Sequence, residues 1–196
     1  MVLPILAYGH SILKQTCQSI DSNYPELNTL IADMWETMQH AYGCGLAAPQ
    51  IGLPIRVFIV DSKSTFEKLD SVERKHYFGL DEEGIRETFI NATITARSED
   101  HWDDEEGCLS IPGITHPIQR PWSIAITYYN ANFELQTRTF SGITARMIQH
   151  EYDHIEGVLW LDYLSPLSKK LYGRKLHKIM QGKIKTKYPM KFVEKS

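Results

Sequence analysis

Cysteine is scarce in this chain. Cys17, Cys44 and Cys108 are its only three, odd in number, widely spaced and without a C-x-x-C pair. A disulfide framework is therefore not what holds the fold, and the usage suits a reducing compartment, which we read as cytoplasmic. Long apolar runs are also missing. Nothing approaches the roughly 18 residues of a membrane span, and the opening Met1-Val2-Leu3-Pro4-Ile5-Leu6-Ala7 is apolar only briefly, with no basic stretch before it. The expectation is neither export nor membrane insertion. No internal repeat or low-complexity segment is present. What remains is 196 residues, 42% hydrophobic and 23% charged, enough for one ordinary globular domain with its own core.

Net positive charge is missing from most of the chain and concentrated in residues 165–196. From Ser165 onward Lys169, Lys170, Arg174, Lys175, Lys178, Lys183, Lys185, Lys187, Lys191 and Lys195 face Glu194 alone, a net of +9 that leaves −12 for the rest. Any polyanion should thus meet the tail, while the body repels nucleic acid.

Apolar residues at three- and four-residue spacing, Leu27, Leu30, Ile31, Met34, Trp35, Met38 and Tyr42, predict an amphipathic helix over 25–42, with Pro25 at its first position and Gly43 at C′. Residues 55–60, 87–96 and 124–129 read as strands, the last turning around Asn130-Ala131-Asn132 into 133–140. Residues 62–86 have no clean period and read as an excursion from the sheet, of no assigned role. A second helix is expected over 143–156, stopped by Gly157, and a third from Ser165-Pro166 carries the basic tail. Helix, sheet, helix, helix indicates an α+β fold of antiparallel strands packed around the second helix.

That second helix contains His150-Glu151-Tyr152-Asp153-His154, an H-E-x-x-H pattern. Histidines at i and i+4 stand one turn apart on one face, so both can bind one metal while the Glu lies beside its water. On a helical wheel with Ile143 at the origin, Met147 and both histidines lie within roughly 40° of it, in the centre of the apolar stripe. Two solvated histidines would not sit there. Buried and unpaired, each would cost about 1–3 kcal/mol, and a metal satisfies both.

A catalytic site of this kind usually has three protein ligands and an open position. The downstream third histidine of one protease pattern is replaced by Trp160, and no Glu occurs between Glu156 and Glu194, which removes the ligand of another. Asp162 is the remaining downstream carboxylate. Upstream, Cys108, His101, His116, Cys44 and Cys17 are all candidates, and spacing alone does not choose among them.

Three segments, taken in order, resemble peptide deformylases. Gly43-Cys44-Gly45-Leu46-Ala47-Ala48-Pro49-Gln50 resembles the G-x-G-L-A-A-x-Q motif, Glu106-Gly107-Cys108-Leu109-Ser110 the E-G-C-L-S motif, and Gln149 to His154 the Q-H-E-x-D-H motif. The similarity runs from about residue 3 to Pro166. It departs at 62–86, which is longer than in compact members.

The resemblance implies that Cys108, His150 and His154 hold one divalent metal ion, Fe2+ in the cell, with Zn2+, Ni2+ or Co2+ also suited to the donors. It implies that Glu151 acts as general base and then acid on a metal-activated water. Gln50 and the Leu109 N–H would stabilise the charge on the formyl oxygen. The substrate implied is an N-formyl-methionyl peptide. Ile143 and Met147 could line a pocket for its first side chain, and Gly43, Cys44 and Gly45 could pair with its backbone. Asp153 could orient a ligand histidine, though the wheel puts it off the metal face, and Glu106 could pair with Arg120. Residues 1–164 would form the catalytic domain and 165–196 a basic helix and tail able to contact the ribosome. The rivals are an H-E-x-x-H metallopeptidase cutting internal amides, which would need the missing downstream ligand, and a non-catalytic metal- or RNA-binding module.

Overall fold

The computed structural model describes residues 1–80 and 82–193, so Glu194 and Lys195 of the basic tail lie outside the described residues. In chain order the elements are β1 (Ile5–Leu6), α1 (Leu27–His40), β2 (Gly45–Ala47), β3 (Val57–Asp61), α2 (Lys63–Lys68), α3 (Ser71–Tyr77) and β4 (Arg86–Arg97). They continue with β5 (His101–Cys108), β6 (Ile111–Pro121), β7 (Ser123–Tyr129), β8 (Leu135–Ser141), α4 (Gly142–Ile155), α5 (Pro166–Met180) and β9 (Met190–Lys191). The fold is α+β, mixing helices with antiparallel sheet.

The apolar period of the first helix becomes a buried face of Leu27, Ile31, Met34 and Met38. Its ends differ from expectation. Pro25 lies before the helix, and the left-handed C′ position is taken by Tyr42, with φ 57°, rather than by Gly43. The turn closes with Tyr42 N–H on the Gln39 carbonyl at 3.0 Å and Gly43 N–H on that of Met38 at 2.9 Å. Gly43 answers another demand, since a Cβ there would come within 2.8 Å of Leu109 Cδ1. At α5 the expected cap is present, Ser168 N–H donating to Ser165 Oγ at 3.1 Å.

A five-stranded antiparallel sheet in the order β2-β3-β4-β7-β8 forms the centre. The continuous apolar run of β3 is buried on both faces, as period-two geometry requires. Val57 and Ile59 pack with Leu46 and Ile90 against α1, whereas Phe58 and Val60 pack with Phe89, Tyr128 and Phe140 against Ala145, Met147, Ile148 and Ile155 of α4. Phe58 and Phe89 stack at 4.7 Å between ring centroids, worth about 0.5–1.5 kcal/mol beyond their buried area.

Two further sheets were not foreseen. β5 and β6 form a separate antiparallel ribbon, and β1 and β9 pair in parallel, with Ile5 opposite Met190. A third apolar cluster joins Ile111, Ile114 and Ile118 of the ribbon to Leu159, Trp160, Leu161 and Leu164, and to Leu176 and Ile179 of α5.

The excursion over 62–86 holds α2 and α3 and serves the start of α4. Ser141 N–H and Oγ donate to Glu82 Oε1 at 3.0 and 2.7 Å, placing a carboxylate at the positive end of that helix. Gly142, with φ 56°, passes so close to the Tyr77 carbonyl that no side chain fits. At the other end Gly157 takes φ 72° against the Lys14 backbone, and Val158 N–H closes on the Asp153 carbonyl at 2.8 Å. No described helix is long and apolar enough to cross a membrane.

Candidate metal centre and cleft

Both histidines project from α4 one turn apart, their rings 5.2 Å centroid to centroid and steeply inclined. On the flank away from the apolar stripe of this helix, Arg146, Gln149 and Asp153 are buried as well. The β5–β6 ribbon covers that flank and supplies its polar partners. It also delivers Cys108, whose Sγ lies 3.3 Å from His154 Nε2.

One donor atom from each of Cys108, His150 and His154 lies within 4.8 Å of the others, and no other such trio occurs among the described residues. Bonds of about 2.0–2.3 Å in a tetrahedral site set donors roughly 3.3–3.8 Å apart, and the Cys108–His154 pair already has that spacing. Thiolate and imidazole suit a transition-metal ion. Of the other candidate ligands none comes near. Asp162 bonds Lys14 Nζ at 2.5 Å, His101 bonds the Glu99 carbonyl, His116 pairs with the Tyr172 hydroxyl, and Cys17 is buried elsewhere in the core. Cys44 opens on the cleft but is outside the trio.

Glu106 fixes the first histidine. Its Oε2 lies 3.0 Å from His150 Nδ1, which leaves Nε2 for the metal side. Arg120 grips the same carboxylate with Nε and an amino nitrogen at 2.8 and 2.9 Å, and Arg146 adds a third contact at 2.7 Å. Burial by itself would raise the Glu106 pKa, but Arg120 and then His150 hold it far below the ordinary carboxylate range. Burial likewise disfavours charge on His150, and contact with Cys108 and Glu106 outweighs it, raising that pKa. His154 has no such carboxylate, so burial and the neighbouring His150 push it down.

The expectation for Asp153 is corrected. Its carboxylate receives Arg120 at 2.6 Å and the Tyr163 hydroxyl at 2.9 Å, and it reaches no ligand histidine directly. Glu106, foreseen only as an Arg120 partner, is the carboxylate that orients His150. The E-G-C motif carried the signal, since residues 106 and 108 of one strand point to the same face.

Glu151 is 5% exposed and lies so close over Gly45 that a Cβ on that glycine would strike its Oε1. Burial is the main reason its pKa rises to about 7, and Oε2 has no partner among the described residues. Gln50 is fixed by Ala47 N–H, which donates to its Oε1 at 2.8 Å. Its Nε2 is thereby turned toward Cys108 Sγ at 3.6 Å and Ser110 Oγ at 3.3 Å. Leu109 sits in the turn between β5 and β6, and its N–H has no acceptor among the described residues.

These groups border a cleft of about 790 Å³ between the free edge of β2 and the ribbon. Gly43, Cys44, Gly45, Gln50, Cys108, Leu109, Ile143, Met147, His150 and Glu151 all line it, and His154 lies just beneath, 1% exposed. Ser64, Thr65 and Lys68 of the excursion form part of its rim. So does Tyr188 of the tail, whose phenol is pushed up to about 12 by burial and by Cys108 nearby.

A sequence profile of the family described as Polypeptide deformylase matches residues 2–170. The chain is 47% identical over 194 residues to a peptide deformylase of Christiangramia forsetii, covering 98% of this chain and 96% of that one. It is 45% identical over 195 residues to one from Flavobacterium psychrophilum, covering 100% and 99%. Among solved structures, the peptide deformylase from Ehrlichia chaffeensis superposes with a TM-score of 0.80 at 29% identity, covering 93% of this chain and 99% of that one. That from Legionella pneumophila gives 0.75 at 30%, covering 93% and 98%.

Proposed function

The chain belongs to the peptide deformylase family, and from that premise we infer how its own residues carry out the reaction. It is a metal-dependent hydrolase that removes the N-formyl group from the formyl-methionine of nascent polypeptides and releases formate. Family membership sets aside the metallopeptidase and the non-catalytic readings.

The observation that carries the assignment of roles is the convergence of Cys108, His150, Glu151 and Gln50 on the cleft, with His154 buried beside Cys108. Cys108, His150 and His154 hold a divalent ion, Fe2+ in the cell, with Zn2+, Ni2+ or Co2+ able to occupy the same donors. When bound, that ion supplies Lewis acidity and a water that gives up its proton near neutral pH. Glu151 accepts the proton of the attacking water at its carboxylate and delivers it to the amine nitrogen as the formyl C–N bond breaks. Gln50 Nε2 and Leu109 N–H donate to the formyl oxygen while it carries negative charge. Ile143 and Met147 border the space for the methionine side chain. Gly43, Cys44 and Gly45, at the open edge of β2, pair with extended substrate backbone.

Iron-loaded, anaerobically prepared protein should release formate from formyl-Met-Ala-Ser and leave its unformylated, extended counterpart intact. Internal cleavage without formate would overturn the reading. Removing one fixed donor to the oxygen, by Gln50→Ala, should lower kcat by about 10²–10³. A loss under threefold, measured by formate release, would take Gln50 out of the mechanism.

We place the protein in the cytoplasm, with 1–164 as the catalytic unit and 165–196 as a basic appendage that contacts the ribosome. Lys169, Lys170, Arg174 and Lys175 of α5 are all exposed, as phosphate contact requires. Co-sedimentation with ribosomes should weaken as salt rises, and neutralising these four residues should weaken it at low salt. Binding indifferent to salt or to the substitutions would remove the contact.

A further inference from the structure

The turn that follows Cys108 is held by three separate parts of the chain. Tyr8 N–H donates to the Ser110 carbonyl at 2.8 Å, and Gln50 Nε2 to Ser110 Oγ at 3.3 Å. The third hold comes from beyond α5, where the Tyr188 hydroxyl donates to the Leu109 carbonyl at 2.8 Å. The family profile ends at residue 170, so this contact belongs to a part of the chain outside it.

Tyr188 is itself fixed. Thr186 Oγ1 donates to its carbonyl at 2.8 Å, and the next residues join β1, with Ile5 N–H on the Pro189 carbonyl at 3.0 Å and Ala7 N–H on that of Lys191 at 2.9 Å. Its ring packs with the α1 cluster and lines the cleft. The hydroxyl is thus a donor on a rigid mount, not the end of a loose tail.

We propose that Tyr188 is a positioning residue for deformylation: its hydroxyl fixes the Leu109 peptide so that the preceding N–H stays aimed at the formyl oxygen, while its ring closes the adjoining wall of the cleft. This rests on the role given to Leu109 above. Leu109 follows Cys108, whose side chain is committed to the ligand trio, so anchoring the Leu109 carbonyl constrains the residue from its other side. A donor held in place before reaction needs no reorganisation when charge develops, and one that must be re-aimed loses part of its effect. A mere structural latch would lower stability and leave turnover untouched.

The test is Tyr188→Phe in the full-length, metal-loaded protein, which keeps the ring and deletes only the hydroxyl. For formyl-Met-Ala-Ser, kcat should fall about 3- to 10-fold with KM within twofold of wild type. In amide hydrogen exchange, peptides covering residues 107–111 should exchange faster and the remainder of the chain at its former rate. Tyr188→Leu should in addition raise KM, because the cleft wall is removed. An unchanged kcat in Tyr188→Phe overturns the proposal. So does a fall in kcat with exchange rising throughout the chain, which marks general loosening. If wild-type protein releases no formate, the functional reading fails first, which separates the two.

Discussion

Replacing Glu151 by glutamine is expected to lower kcat for a formyl-methionyl peptide by about 10²–10⁴, the usual worth of a positioned general acid and base. Glutamine fits the space above Gly45 that glutamate fills, but it cannot take a proton from water and pass it to nitrogen. Bound metal, measured on the same sample, should stay at the wild-type amount, since Glu151 is not one of the three proposed ligands, Cys108, His150 and His154. Retention of kcat within tenfold, with metal in place, would show that another group moves the proton. Loss of metal along with activity would show that Glu151 acts on the ion instead. Glu151→Ala opens a void over Gly45 besides removing the carboxylate, so the isosteric change is the cleaner measurement.

Removing Arg120 should have the largest effect on stability. Arg120 is 3% exposed and binds two buried carboxylates at once, Glu106 through two nitrogens and Asp153 through one. Arg120→Met leaves both without their main counter-charge, and breaking a buried pair this way costs about 3–5 kcal/mol. For a chain of this size that is a fall in Tm of roughly 6–20 °C. Arg146 does not replace it, because its single carboxylate contact is shared with the carbonyls of Trp102, Asp104 and Ile118. Burial also lowers its own pKa in spite of Glu106. Glu106 then holds His150 less firmly, so metal affinity should drop about 10–100-fold as well. A Tm within 2 °C of wild type, by calorimetry on metal-free protein, would contradict this account.

Apolar residues repeating about every 3.6 positions made α1 and the face of α4 legible, and the Ser165-Pro166 start gave α5. Strand-forming runs gave four strands of the central sheet, while the short β2 was missed. The β5–β6 ribbon escaped for two physical reasons. Its Asp103-Asp104-Glu105-Glu106 run looks solvated until Arg120 from the facing strand is brought opposite Trp102 and within reach of Glu106. Pro112, Pro117 and Pro121 also argue against a strand, yet a two-stranded ribbon has two outer edges where a missing N–H costs little. Excursion 62–86 was opaque because its links to the fold, Glu82 on Ser141 and Tyr77 over Gly142, join residues some sixty positions apart. At the candidate site, the H-E-x-x-H spacing pointed by local geometry to two of the proposed ligands and to the proposed base beside them. The proposed third ligand and the proposed donors to the formyl oxygen came from the resemblance, since Cys108, Gln50 and Leu109 meet α4 only through tertiary packing. Tyr188 left no trace of either kind.

The parallel pairing of β1 with β9 also orders events in time. A chain made from its N-terminus exposes Ile5 and Leu6 early, whereas their partners Met190 and Lys191 follow some 185 residues later. Until then Ile5 and Leu6 have no strand partner, and the cleft lacks the wall built by Tyr188. An enzyme that acts on emerging chains thus has its own cleft closed only once residues 186–191 have themselves emerged and reached the first strand.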